Sequence, residues 1–472
     1  MTLNPKEIKR FEEYVRSPFY NKNEKVIQLI QIIRKAYPNW QSRSLANKKV
    51  FAKIFPKERF DERKVRYIMS YLTKLLEGFM TYMELEADKI DQTRLFLVGL
   101  TKRELQNYFE ANFDNVKVAL DKTTIRDSKH YFDSYTIHKV ATDSLEASRV
   151  RDDNKNLLTT LNQLDLFYLS TKMRYISALL NRGNILAENH HEILLDDLMN
   201  HVQRNPEKYQ QEPTISVYHA LNEMLLHKNE GIYYHDFMGL LKKHGEQLTK
   251  VDLEYLYMIG RNYCIRALNA GMSKDFDFLA ELFRLYKIMI EKELWATNMV
   301  NYFPHSVYKN VITTGLRLKD ITWTGQFIED FKEKIEPKYR AAAYTYNKAN
   351  FYFATKKYEE VLALFNAAEL KLIDVFYQLS YRTLQVKTYY ELGLDRVLES
   401  FLESFRIYLI RNKELPVEKE NIYKDFIKFV KRLYRIKTGN KKILPVLKND
   451  LFQKDLTVME KKWLQAKILE LE

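Results

Sequence analysis

Three stretches of this chain repeat one design at intervals of 35 to 37 residues. A repeat limits the fold more than any other sequence feature, because each unit must bury its apolar face against the next. In "YTYNKANFYFATKKYEEVLALFNAAE" (344–369), Ala349, Tyr352 and Phe353 form one helical stripe. A turn, "TKK", follows, and Tyr358, Val361, Leu362, Phe365 and Ala368 form a second stripe. Downstream, "LQVKTYYELGLDRVLESFLESF" sets Tyr389 and Tyr390 in place of Tyr352 and Phe353, turns at Gly393 and continues with Leu398, Leu402 and Phe405. Upstream, "NVITTGLRLKDITWTGQFIEDF" does the same, with Trp323 in the place of Tyr358. The spacing predicts consecutive helical hairpins whose aromatics pack between helices rather than forming a cofactor box.

Composition agrees with helix throughout. Only 12 Gly and 10 Pro occur in 472 residues, of which 46% are hydrophobic, a balance suited to an all-α chain with a large core. Four helices are expected in the first 86 residues. The first stops at Ser17-Pro18, the second is capped by Asn23, a short third is stopped by Pro56, and the fourth starts near Asp61. In the fourth, Val65, Ile68, Met69, Leu72, Leu75, Leu76, Phe79 and Met83 follow helical periodicity. "ELEADKIDQTR" (84–94) reads as a polar junction. "LNQLDLFYLSTKMRYISALLNRGN" (161–184) is apolar nearly all round and predicts a helix sandwiched between neighbours rather than one on a surface. Pro206, Pro213, Pro304, Pro337, Pro416 and Pro445 are expected at helix starts.

The repeated unit resembles a degenerate tetratricopeptide (TPR) repeat. Ala349 fits the small residue of its first helix, Tyr352 the following aromatic, Tyr358 the residue after the turn, and Phe365 with Ala368 the second-helix pair. Val361, Thr345 and Lys356-Lys357 depart from that pattern, which has a small alanine, a tryptophan and a Gly-Asp turn at those places. The wider layout is similar to an uncharacterised family of bacterial helical proteins, which lends no activity. The resemblance implies a right-handed superhelix in which first helices line a groove, placing Tyr346, Asn350, Thr383 and Lys387 toward a protein or peptide partner. Asn350 matches the clamp that some such repeats use for a peptide's terminal carboxylate.

The formal charge of +14 is concentrated at the ends: residues 1–80 hold 18 Lys/Arg against 8 Asp/Glu, and residues 411–472 hold 16 against 9. Lys48, Lys49, Lys53, Arg59, Arg63 and Lys64 cluster around the turn between the third and fourth helices. A solvated face is the first reading of that block; contact with nucleic acid or another acidic partner is the alternative, phosphates first. No pair of glycines forms G-x-G, and neither G-x-S-x-G nor H-E-x-x-H occurs, so the usual signatures of nucleotide-driven and hydrolytic chemistry are missing. Asp197 and His201, at i and i+4, could share a metal with His190 or His191, but the sequence supplies no supporting second layer, and no metal or cofactor is expected. The single cysteine, Cys264, is expected to be buried and structural, in a reducing compartment.

These readings combine into an all-α protein with a basic N-terminal bundle (1–90), a divergent hairpin array (91–300), TPR-like repeats (301–415) and a basic helical cap (416–472). The expected function is a non-enzymatic adaptor or scaffold binding a protein or peptide in its groove. The alternative is a regulator with a nucleic-acid-binding bundle. With no apolar export core or membrane-length apolar run, a cytoplasmic location is expected.

Overall fold

Asn4 begins the chain's helical order. Its side chain accepts from the backbone N–H of Lys6 and Glu7 while Glu7 returns a bond to the Asn4 N–H, a reciprocal cap that starts α1 (Pro5–Arg16). The computed structural model describes residues 3–148, 154–182, 194–272, 276–295, 302–367, 375–412, 415–439, 441–453 and 456–472. Among them are 23 α-helices and no strand. The chain forms two compact units, Met1–His219 and Ala220–Glu472.

In the first unit, α1, α2 (Glu24–Ala36), α3 (Asn47–Ile54) and α4 (Glu62–Ala87) enclose one core of Phe11, Val15, Val26, Leu29, Ile30, Val50, Ile54, Ile68 and Phe79. Their limits follow the expected caps: Asn23 accepts from Lys25 N–H at 3.0 Å and Asp61 from Arg63 N–H at 2.8 Å. Glu12 is buried within this bundle and is held by Arg16 at 2.7 Å and by Arg34. The expected polar junction at 84–94 is instead a single capping residue. Asp88 separates α4 from α5 (Lys89–Thr101), accepting from Asp91 N–H at 2.9 Å and meeting Lys129 at 2.9 Å. A short Asx cap satisfies the helix start as well as a loop would, and composition alone does not separate the two.

The unit continues with α6 (Gln106–Lys122), α7 (Ser128–Ser148), α8 (Lys155–Arg182), α9 (Leu195–Arg204) and α10 (Pro206–Tyr209); the division between units falls within α11 (Pro213–Leu226). α8 lies along α7, joined by a 2.9 Å bond between the Thr142 and Thr160 hydroxyls and a Phe132–Phe167 ring contact at 5.1 Å. The sandwiched placement expected of α8 does not hold, because one of its faces is exposed. Leu166, Leu169, Met173, Ile176 and Leu180 are buried, while Leu157, Leu158, Leu161, Leu164, Tyr168, Tyr175 and Leu179 are exposed. Apolarity around a helix reports that faces need cover, not that the same chain provides it.

The second unit comprises α12 (Gly231–His244), α13 (Lys250–Asn269), α14 (Phe278–Glu291), α15 (His305–Arg317), α16 (Ile321–Phe331), α17 (Pro337–Ala354), α18 (Tyr358–Ala367), α19 (Val375–Glu391), α20 (Asp395–Arg411), α21 (Val417–Lys437), α22 (Leu444–Phe452) and α23 (Lys461–Leu469). The three repeated stretches are the hairpins α15–α16, α17–α18 and α19–α20. Each turns through one left-handed residue, Lys319, Lys356 or Gly393, at φ 62°, 59° and 66°. These residues are spaced 37 apart. Each turn also carries the same pair of backbone bonds, for example Lys357 N–H to Tyr352 O at 2.8 Å and Lys356 N–H to Phe353 O at 3.0 Å, the pattern that closes a helix at a left-handed residue. The expected helix-start prolines are in place: Pro337 opens α17, Pro206 α10 and Pro213 α11, Pro304 and Pro416 precede α15 and α21, and Pro445 lies in the first turn of α22.

That 37-residue register makes Thr324, Val361 and Leu398 equivalent, and likewise Ile328, Phe365 and Leu402; all six are buried. It also corrects one alignment. Ile321, not Trp323, stands in the place of Tyr358, and Trp323 stacks on Phe327 at 5.2 Å and meets Phe283 edge-on at 4.9 Å. Ala368 lies outside the described residues. The last three helices close the array: Phe426, Val430, Leu433, Leu447, Leu464 and Ile468 share one core with Leu398, Leu402 and Phe405. Glu391 at the end of α19 accepts from Trp463 Nε1 at 2.7 Å and from Lys467 Nζ at 2.8 Å.

The turn chemistry gives a direct expectation. Gly393→Ala should cost about 1 kcal/mol, because a Cβ is disfavoured at positive φ, whereas Lys356→Gly should gain up to about 1 kcal/mol. Urea denaturation of the two variants checks the opposite signs.

Candidate functional site

The register that aligns the hairpin cores also aligns their opposite faces. On the first helix of each unit, Lys309, Tyr346 and Thr383 are equivalent, as are Thr313, Asn350 and Lys387. All six line one cavity of about 610 Å³, together with Leu316, Arg317, Phe353, Ala354, Ser380 and Leu384. Its remaining wall is the segment Met459–Lys462, which leads into α23. Tyr346, Asn350, Thr383 and Lys387, named from sequence as one lining, are therefore brought together.

They do not form a freely solvated surface, as an open groove would require. Tyr346, Thr383 and Lys387 are buried and Asn350 is half-buried. Thr383 spends its hydroxyl on Leu379 O of its own helix at 2.8 Å. Tyr346 packs edge-on against Tyr377 at 5.7 Å, and burial, with Glu460 nearby, raises its phenol well above the ordinary range. Lys387 has a side chain only 9% exposed; its ammonium donates to Glu460 Oε2 at 2.9 Å and lies 4.5 Å from the centre of the Phe353 ring. The Asn350 side chain has no hydrogen-bond partner among the described residues.

Charge is strongly one-sided in this cavity. Lys309, Arg317, Lys387, Lys461 and Lys462 line it with a single carboxylate, Glu460. Lys309 donates to Ser380 Oγ at 2.6 Å and lies over the Tyr346 and Tyr377 rings at 5.1 and 5.2 Å. Half-buried cations above aromatic and aliphatic walls can hold a carboxylate while its attached chain contacts the rings. Lys309 was legible in principle, since the 37-residue register places it opposite Tyr346. Glu460 was not: it arrives 73 positions after its partner, from a segment without repeat character.

The basic N-terminal block lies in the first unit and is exposed. Lys48, Lys49 and Lys53 are exposed on α3, Arg59 in the turn, and Arg63 and Lys64 at the start of α4. Lys64 pairs with Glu58, and Lys48 lies 6.0 Å from the Phe60 ring centre. In the second unit a cavity of about 610 Å³ is lined by Arg406, Lys424, Lys428, Lys431, Arg432 and Arg435 over Ile410, Ile427 and Ile443. Four of these cations have acidic partners: Arg406 and Lys431 share Glu403, Lys424 meets Glu420, and Arg432 meets Asp450. That sharing reduces the net field of the patch.

Among the described residues, no three His, Cys, Asp or Glu side chains converge as a metal site. His201 meets the Tyr209 hydroxyl at 3.0 Å, and His190 and His191 lie outside the described residues. Cys264 is buried, with its sulfur 3.3 Å from the Tyr234 hydroxyl; burial pushes the thiol up to about 12, which suppresses the reactive thiolate. No described helix is long and apolar enough to cross a membrane. Comparison with known proteins finds no matching family model, no matching curated protein and no matching solved structure.

Proposed function

We propose that this protein is a non-enzymatic adaptor, a TPR-like helical-repeat superhelix acting in the cytoplasm, which binds an acidic peptide segment of a protein partner between the first helices of its three hairpins. The convergence of equivalent positions from α15, α17 and α19 on one cation-lined cavity carries this reading. Asn350 supplies an amide for a peptide backbone or carboxylate, Lys387 and Lys309 supply charge, and Phe353 and Leu384 supply apolar wall. The polar side chains in the cavity are amines, a guanidinium, an amide, hydroxyls and one paired carboxylate, a set suited to recognition. Selection of a randomised peptide display library on the full chain should enrich acidic sequences. Asn350→Ala and Lys387→Ala should each weaken the selected peptides about tenfold or more, since each removes a charge-assisted or amide bond in a half-buried site. Equal affinity for the doubly substituted chain would sink the groove assignment.

A second reading is supported by the exposure of Lys48, Lys49, Lys53, Arg59, Arg63 and Lys64 around one helical turn. In that reading the N-terminal bundle binds nucleic acid and the repeats sense a peptide. Binding of duplex DNA or RNA would then fall steeply with salt and weaken on Ala substitution of Lys48, Lys49 and Lys53. No binding at low salt removes this reading.

A further inference from the structure

Helix α8 carries an apolar stripe that its own unit leaves uncovered. Leu157, Leu158, Leu161, Leu164, Tyr168, Tyr175 and Leu179 are between 38% and 64% exposed. Scattered exposed leucines are ordinary, but seven large apolar residues on one 28-residue helix are not. Charged residues on the same helix would normally occupy that face.

Leu158 lies about 100° round the helix from Leu157; without it, and with Lys172 included, the stripe has an internal symmetry. Starting at Leu157, its positions run Leu161, Leu164, Tyr168, Lys172, Tyr175 and Leu179, with steps of 4, 3, 4, 4, 3 and 4 residues. The order is the same read from either end, with Tyr168 at the centre and 11 residues on each side. An 11-residue step over three turns nearly matches the natural period of an α-helix, so the stripe stays on one side along its whole length, about 33 Å at 1.5 Å per residue. A straight helix could therefore lie against it from end to end.

We infer that α8 is a two-fold dimer interface, occupied by α8 of a second copy of this chain running antiparallel, with Tyr168 on the symmetry axis. Reversal about Tyr168 places Leu157 against Leu179 of the other copy and Leu161 against Tyr175, and two-fold symmetry makes each of these apolar contacts twice, once in each half. Leu164 meets the aliphatic stem of Lys172, whose ammonium then lies beside Asp165 of the other copy. Among the described residues of its own chain, Asp165 is held by an exposed contact with Lys208 at 3.1 Å. A parallel pairing would instead oppose Lys172 to Lys172, Asp165 to Asp165 and Arg182 to Arg182. Charge thus selects the antiparallel arrangement, and the palindromic spacing selects a second copy over an unrelated helix. The inference is independent of the peptide-binding reading, because it concerns the first unit alone.

Sedimentation equilibrium of the full chain should give twice the 56.6 kDa chain mass. Leu161→Glu with Tyr175→Glu should give the monomer mass with an unchanged far-ultraviolet circular-dichroism spectrum, since both side chains are exposed within one chain, and a melt that no longer depends on protein concentration. Cysteine substitutions then test the geometry against a background in which Cys264 is buried. Tyr168→Cys should form a disulfide-linked dimer on mild oxidation, as should a mixture of Leu161→Cys and Tyr175→Cys chains, whereas Leu161→Cys alone should not. A monomeric wild type, a dimer that survives the double glutamate substitution, or self-linking by Leu161→Cys would each overturn the proposal.

Discussion

Gly315→Ala should lower the free energy of unfolding by about 2–3 kcal/mol, although it adds one methyl group to a helix interior where alanine is the better helix former by about 1 kcal/mol. The sign follows from the close approach of three helices. Gly315 faces Thr324 of α16, and a Cβ there would fall far inside contact distance of the Thr324 hydroxyl and 3.1 and 3.2 Å from the ring carbons of Phe283 on α14. Neither neighbour yields cheaply. Thr324 is fully buried and its hydroxyl donates to Asp320 O at 2.6 Å, while Phe283 is held edge-on by Trp323 and covered by Lys287 at 4.3 Å. The methyl therefore separates α15 from α16 or breaks the Thr324 bond, and either loss exceeds the propensity gain. Gly239→Ala is the control, because nothing lies within 4 Å of its added Cβ and it should be neutral or stabilising. Chemical denaturation of both variants measures the contrast; a Gly315→Ala chain as stable as the parent would mean the two helices pack less closely than described.

Gly315 also shows why the repeat was easier to see than its details. Strict register makes it equivalent to Tyr352 and Tyr389, so one position holds the smallest side chain in one hairpin and a large aromatic in the next two. Hairpin periodicity survives such a swap because neighbours compensate: in the first hairpin Phe283 comes from outside to fill the space. A stripe of apolar residues thus reveals helices, turns and the core face, and here it revealed all three hairpins. It misplaced Trp323 by two positions because aromatics stand out in a sequence while the left-handed turn residue does not when it is a lysine. The four cavity residues were legible through the repeat, since equivalent positions share a face. Their burial was not, because the wall that covers them comes from Met459–Lys462, remote in sequence. The exposure of α8 was illegible for the converse reason: apolar character shows a demand for contact without naming the partner.

The contact between Glu460 and Lys387 leads to the second large effect, which rests on the peptide-binding reading. Glu460→Gln should raise the affinity of the cavity for an acidic peptide about tenfold while lowering stability by about 1 kcal/mol. At present Glu460 neutralises the cavity's most buried amine, and any ligand carboxylate reaching Lys387 must displace it or share it. Glutamine keeps the shape and can still accept a hydrogen bond, but the attraction between unit charges is gone, so Lys387 is left with a charge the ligand can satisfy. The fold loses for the same reason: an ammonium only 9% exposed has lost its counter-charge, although the 35% exposure of Glu460 allows water to replace part of it. Glu460 itself sits at φ 55°, so the change leaves the backbone requirement at that position as it was. Isothermal titration with a selected acidic peptide, alongside urea denaturation, reads both quantities from one variant. Opposite signs mean that Glu460 competes with the ligand for Lys387. A fall in both would instead make the pair a structural tie between α19 and α23, with the ligand's charge held by Lys309 or Arg317 at the other end of the cavity.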